Sequence, residues 1–240
     1  MKNDLPTTKD LISTGMMAPQ NRYMFIAMRV IYLLFHPQKW ISWIKTFYID
    51  IRYSHAYLGG RINNGSLSTG RTGSSSSSYH DLATMFSGLT IKEDDVIVDV
   101  GCGKGRVLNF FLSKKYTVPL IGVEVDPIVG ALAKTRFERY SQIKIIIGAI
   151  EHASVLPKTG TIFYLSNPFF DSVMEKFSKL LEEKIKNGEY KNNERPLIIY
   201  YHCYQLQIFE KNPFWVVKKL DNVFAAIISP AITNHIKTND

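Results

Sequence analysis

At 240 residues with 45% hydrophobic and 21% charged side chains, the chain has the composition of an ordinary globular protein, which excludes wholesale disorder and a collagen-like or low-complexity chain. Its net charge of +8 favours anionic surroundings, but the basic residues are scattered (Lys114, Lys115, Lys134, Arg136, Arg139, Lys184, Lys186, Lys218, Lys219), the pattern of a solvated surface rather than a nucleic-acid footprint. Two cysteines, Cys102 and Cys203, are too few for a disulfide framework or a cysteine-based zinc site, so a reduced, cytoplasmic setting is expected and no metal.

Residues 1–20 read as a flexible polar tail with no cleavable signal sequence. Residues 21–58 follow as two apolar, helix-like segments. The first, Tyr23 to Phe35, carries Arg29 as its one charge and is too short to span a bilayer. The second starts after Pro37, which suits a first helical turn. There Trp40, Ile41, Trp43, Ile44, Phe47, Tyr48 and Ile51 recur at helical spacing, with Ser42, Lys45, Thr46 and Asp50 on the other face. Two roles are open: a cap packed on the following domain, or an interfacial helix on an anionic membrane through residues 22–52, where Arg22, Arg29, Lys39, Lys45 and Arg52 suit headgroups. That contact would put the protein at the inner membrane face. Residues 59–78, with Asn63-Asn64-Gly65 and Ser74 to Ser78, read as a glycine- and serine-rich loop.

From residue 79 to 240 helix and strand alternate. Asp81 to Leu89 is helical, Val96 to Val100 a continuous apolar strand, and Lys104 to Ser113 a helix. Val118 to Val125 is the next strand, after which Asp126-Pro127 caps a helix reaching Tyr140. Ile143 to Ile147 and Thr161 to Leu165 are strands, and Ser172 with Glu175 has the spacing of a capping box ahead of Val173, Met174, Phe177, Leu180 and Leu181. Leu197 to His202 is a fifth strand; Phe214 to Leu220 and Val223 to Ile228, joined by Asp221-Asn222, form a closing hairpin. Continuous apolar strands between helices predict a mostly parallel sheet covered on both faces, seven strands with the hairpin.

The richest run is Val96-Ile-Val-Asp-Val-Gly-Cys-Gly-Lys-Gly-Arg106. A buried strand ending in Asp99 turns through Gly101, Gly103 and Gly105 into a helix, at the carboxyl edge where open α/β sheets bind ligands. The spacing Gly-x-Gly-x-Gly departs from the dinucleotide fingerprint. Asp99 beside the turn suits a positively charged ligand rather than a diphosphate, and Glu124, ending Ile121-Gly-Val-Glu-Val-Asp126, can accept both hydroxyls of a ribose.

The block from about residue 76 to 170 resembles the class I S-adenosylmethionine-dependent methyltransferases, a Rossmann-like fold. It is most similar to the branch holding the non-SET histone-lysine methyltransferases and their bacterial relatives. Tyr79 and Leu82, the glycine run, Gly122-Val-Glu124 and Asn167-Pro-Phe-Phe170 carry the likeness. It implies S-adenosyl-L-methionine as cofactor, with Asp99, Gly101 and Gly103 along its methionine part, Glu124 on the ribose and Tyr79 closing over it; Cys102, Gly105 and Asp126 complete the cofactor-binding set. Gly148-Ala149 stands where relatives carry an adenine-binding acid, leaving Glu151 or backbone groups for that contact. Ser166-Asn-Pro-Phe-Phe170 resembles the Asn-Pro-Pro-aromatic motif of amino-group methyltransferases. By that likeness Asn167, Pro168, Phe169 and Phe170 are the catalytic set, orienting an amine of a protein lysine or small molecule. The alternatives are an O-methyltransferase for a glycan or lipid-linked acceptor with His202 as base, and a module that binds the cofactor or another nucleoside without transfer.

Overall fold

The computed structural model describes residues 37–59, 76–190 and 196–231. The predicted helix at Tyr23 to Phe35 and residues 60–75 of the loop lie outside them. The chain runs α1 (Pro37–Ser54), α2 (Tyr79–Ser87), β1 (Ile97–Val100), α3 (Arg106–Ser113), β2 (Leu120–Glu124), α4 (Pro127–Phe137), β3 (Ile143–Ile147) and β4 (Ile162–Ser166). It continues through α5 (Asp171–Lys186), β5 (Leu197–Tyr201), α6 (Gln207–Glu210), β6 (Trp215–Lys219) and β7 (Ala225–Pro230).

The seven strands form one sheet in the order β3-β2-β1-β4-β5-β7-β6. Strands β1 to β5 pair in parallel, and β7 runs antiparallel to both β5 and β6. Every residue of β1 and β2 is buried, because helices cover both sheet faces. Side chains alternate between two cores. Val98, Val100, Phe163 and Leu165 point to the layer holding α5, with Val173, Met174, Phe177 and Leu181. Ile97, Ile162 and Tyr164 point the other way, onto Leu82, Met85 and Phe86 of α2 and Leu108 and Phe111 of α3. Each fully buried ring contributes ~1.5–3 kcal/mol by area removed from water. The edge strand β3 is only half covered and carries exposed Lys144, a charge that discourages further strand pairing.

Local chemistry sets the helix starts. Ser78, last of the serine row, caps α2 by accepting from Asp81 N at 3.0 Å, so that helix begins at Tyr79 and not at Asp81. Asp126 accepts from Ile128 N and Val129 N and Pro127 opens α4, as the sequence predicts. The expected capping box at Ser172 is overturned: α5 starts at Asp171 with Phe170 in the cap position and no side-chain cap bond. The left-handed turn at Asn167 (φ 45°) delivers the chain to the helix early, and Asp171 in the first turn complements the helix dipole instead. Four-residue α6 was not predicted, being too short to show periodicity.

Helix α1 packs on α3, but through its polar side. Asp50 and Ser54 are buried and Thr46, Ile49 and Tyr53 partly so, whereas all seven apolar residues of the predicted stripe are exposed. The helix therefore packs on the domain through its polar side, with its apolar stripe outside that contact.

Candidate ligand cleft at the carboxyl edge of the sheet

Strands β1, β2 and β4 end at one edge, and the turn after β1 makes one wall of a cleft there. Gly101, Gly103 and Gly105 have φ of 74°, 52° and 88°, a left-handed backbone that glycine adopts without strain. Gly101 N and Cys102 N both donate to Val123 O (2.8 and 3.0 Å), tying the turn to β2. A methyl group on Gly105 would overlap the buried Phe137 ring, and one on Gly122 would lie 2.8 Å from Cys102 Sγ, so both positions require glycine to let the turn sit down.

Both acids of the sequence reading arrive here, each buried. Glu124 accepts from Gly103 N (2.8 Å) and Asp126 N (2.9 Å), so its carboxylate fixes the glycine turn to the end of β2. Asp99 is 2% exposed, and burial, reinforced by the Glu124 charge, pushes its carboxyl well above the usual carboxylate range. Burial likewise raises the Cys102 thiol, helped by the charges of Asp99 and Glu124, leaving it protonated and unreactive. Two acids are thus buried close enough at this turn for the charge of one to bear on the other.

The opposite wall comes from distant sequence. Ser76, Ser77, Lys104, Arg106, Tyr164 and Ser166 line the cleft with Asp99 and Gly101. Ser77 Oγ and Tyr164 Oη share a hydrogen bond of 2.7 Å, Ser76 Oγ donates to Leu58 O (2.5 Å), and Lys104 Nζ donates to Gly59 O (2.6 Å). These bonds hold residues 58–59 and 76–77 against the glycine turn. Behind them Asp50, fully buried, accepts from Leu58 N (3.0 Å), Arg106 Nη2 (2.7 Å) and Tyr79 Oη (2.6 Å). Asn109 Nδ2 donates to Tyr79 Oη (2.7 Å) and to Ile49 O (3.0 Å). The guanidinium also lies over the Tyr79 ring, 5.5 Å from its centroid. Tyr79 thus spends its hydroxyl on a clamp between α1, α2 and α3; burial, then the bond to Asp50, raises its pKa. The Arg106 side chain is 10% exposed, and its buried Nε–H has no hydrogen-bond partner among the described residues.

After β4, Asn167 turns the chain back so that a methyl group on Gly101 would lie 3.0 Å from Pro168 Cβ. The Asn-Pro turn therefore abuts the glycine turn. Tyr200 Oη, 3.4 Å from Asn167 Oδ1, also meets Gln205 Oε1 and so braces the motif from β5. Phe169 is 5% exposed and packs on Phe177 in the core, while Phe170 stands at the head of α5, partly exposed. His202, with φ 52°, ends β5 as Asn167 ends β4; its ring stacks on Tyr201 at 3.8 Å, near Tyr204 and Phe224. Asp126 serves as the α4 cap, and Glu151 lies half-buried in the turn beyond β3.

Sequence alone assigns no role to Asp50, Ser77, Arg106, Asn109 or Tyr164. One signal was available for Asp50: it is the only acid in α1, among apolar and basic neighbours.

The order β3-β2-β1-β4-β5-β7-β6 with an antiparallel β7 is that of the class I methyltransferases, and the fold is theirs. A chain in the complex between the Haloferax volcanii Trm112 methyltransferase activator and a protein described as a methyltransferase superposes with a TM-score of 0.50 at 12% identity, covering 65% of this chain and 90% of that one. An RNA methyltransferase from Salinibacter ruber, solved with S-adenosyl-L-homocysteine, is similar at a TM-score of 0.46 and 16% identity over 67% of this chain and 95% of its own. The sequence matches no family model and no curated protein.

Proposed function

We propose that the chain is an S-adenosylmethionine-dependent methyltransferase acting on an amino nitrogen, of a protein lysine or a small-molecule amine. One observation carries the reading: two buried acids at the ends of adjacent strands flank a left-handed glycine turn, against which the Asn-Pro turn of β4 is packed. The residues fit the cofactor. Bare backbone at Gly101 and Gly103 leaves room for its methionine part, Asp99 offers a counter-charge to its ammonium, and the unused Arg106 Nε–H offers one to its carboxylate. Glu124 keeps acceptor capacity for ribose hydroxyls, and Val125 and Ile147, 38% and 44% exposed, present aliphatic carbon beside it for adenine. When bound, the cofactor supplies an electrophilic methyl group on a sulfonium.

The chain's own part is placement. Asn167 Oδ1 accepts a hydrogen bond from the incoming amine and turns its lone pair toward the cleft, while Pro168 fixes that amide and Phe170 excludes water. Such orientation accounts for most of what an in-line displacement needs, since the acceptor nitrogen is already a nucleophile once neutral. A second reading, transfer to a hydroxyl of a glycan or lipid-linked acceptor, draws on His202, which ends the neighbouring strand with a similar backbone and could serve as base.

The test is transfer of labelled methyl groups from the cofactor to amine-bearing and hydroxyl-bearing acceptors, with Asn167→Ala and His202→Ala compared. The amine reading expects Asn167→Ala to lower kcat/KM about a hundredfold, in keeping with loss of one positioned acceptor, and His202→Ala to change it little. The reverse pattern selects the hydroxyl reading. Binding of NAD in place of S-adenosylmethionine and S-adenosylhomocysteine, measured by calorimetry, would overturn both.

A further inference from the structure

We infer that α1 is a docking helix for an anionic membrane surface, on which it lies flat with the cleft-bearing domain held behind it. The helix has 18 residues, about 27 Å at 1.5 Å per residue. The side facing the domain is made by Asp50 and Ser54, with Thr46, Ile49 and Tyr53 around them, and it is secured by hydrogen bonds rather than by apolar burial. At its end, Tyr53 O accepts from both Arg139 Nη2 (2.7 Å) and Tyr140 Oη (2.8 Å). The polar side is thereby used up, and the apolar side is turned to solvent. Trp43 and Phe47 stack at 5.5 Å with Tyr57 6.0 Å beyond, and Ile44 and Tyr48 are 52% and 63% exposed. So wide an apolar surface on a domain with a complete core of its own calls for an occupant.

Charge and shape choose that occupant. The single acid of α1, Asp50, is buried, so the helix has no exposed acid, and exposed Lys45 and Arg52 lie along one border of the apolar stripe. Tryptophan, tyrosine and basic side chains beside an aliphatic stripe suit the headgroup layer of an anionic bilayer. No described helix is long and apolar enough to cross a membrane, so the contact is in the plane of the surface. The preceding segment 23–35, with Arg29 as its only charge, is itself predominantly apolar in sequence. Two copies paired through this face would bring together Lys45 and Arg52 of each, with no exposed acid on the helix to offset them.

The test is sedimentation of the full chain with vesicles of mixed phosphatidylglycerol and phosphatidylcholine, against pure phosphatidylcholine. The wild type is expected on the mixed vesicles and to be released by salt. Ile44→Glu with Tyr48→Glu, both at exposed sites, should lower the partition coefficient at least tenfold with an unchanged thermal transition. Lys45→Glu and Arg52→Glu should each lower it by about fivefold or more. No partition onto the mixed vesicles, equal partition onto both kinds, or full retention by the double variant would each overturn the inference. Light scattering accompanies the assay: a wild-type dimer that the double variant dissociates, without vesicle binding, would assign the face to a second copy instead. Cofactor binding and methyl transfer do not enter these readouts, so failure here is separate from failure of the proposed activity.

Discussion

The two walls of the cleft are built by different means. The glycine turn is backbone but for one side chain: three left-handed residues and amides tied to Val123 O, with the Glu124 carboxylate from the next strand, all between residues 99 and 126. Across from it, the wall at 58–59 and 76–79 is held by side chains from α1, α2 and α3, converging on Asp50. A backbone wall tolerates no added atoms but needs few partners. A side-chain wall tolerates shape changes yet depends on every charge finding its mate.

The largest expected effect is on the first wall. Gly105→Ala sets a Cβ against the fully packed Phe137 ring at φ 88°. Overpacking and left-handed strain together should destabilise the fold by roughly 2–5 kcal/mol, read as a lower urea midpoint at constant slope. A loss below about 1 kcal/mol would show that α4 yields and that the wall is softer than its geometry.

On the second wall, Asp50→Ala leaves the Arg106 guanidinium without its anion and should cost about 3 kcal/mol, the low end for a broken buried pair because Arg106 borders the cleft. The contrast sharpens in a double-mutant cycle with Tyr79→Phe. A coupling of about 1 kcal/mol or more marks Asp50 as the hub of one network; additive losses would reduce the wall to independent contacts.

The smallest effect is electrostatic and belongs to the first wall alone. With Asp99 raised by burial and by Glu124, the free protein holds a proton that the unfolded chain has released, so its stability falls as pH rises from the ordinary carboxylate range through the folded value. A cationic ligand favours the ionised form, so S-adenosylmethionine should bind more tightly as pH rises through that same window, releasing up to about one proton. The gain is at most about tenfold, or 1.4 kcal/mol, per pH unit. Calorimetry in buffers of different ionisation enthalpy measures the proton, and Asp99→Asn should abolish it; a pH-independent affinity in the wild type would mean that Asp99 is ionised without its guest.

Much of this was legible in one dimension. Val96 to Val100 is apolar but for Asp99 because β1 is covered on both faces, and the next elements could be placed from such runs and from Asp126-Pro127. The glycine turn and Glu124 were legible because a turn and the strand beside it are local features with fixed residue demands. Ser78 as a cap was hidden in a row of five serines, any of which has the right side chain. The Ser172–Glu175 spacing is real, but the Asn167 turn starts α5 two residues earlier than a Ser172 cap would.

Periodicity gave α1 two faces but could not say which one would meet the domain. Its apolar stripe was the natural choice for burial, and the opposite occurs: Arg106 and Tyr79, from two other helices, present a cation and a hydroxyl to Asp50, and Asn109 donates to Ile49 O beside it. The strands and the glycine turn after β1 are written in the sequence, since each follows from residues close together in the chain. Tertiary structure alone decided the second wall, because a buried carboxylate takes its meaning from partners 29 and 56 positions away, which only the fold brings within hydrogen-bonding distance.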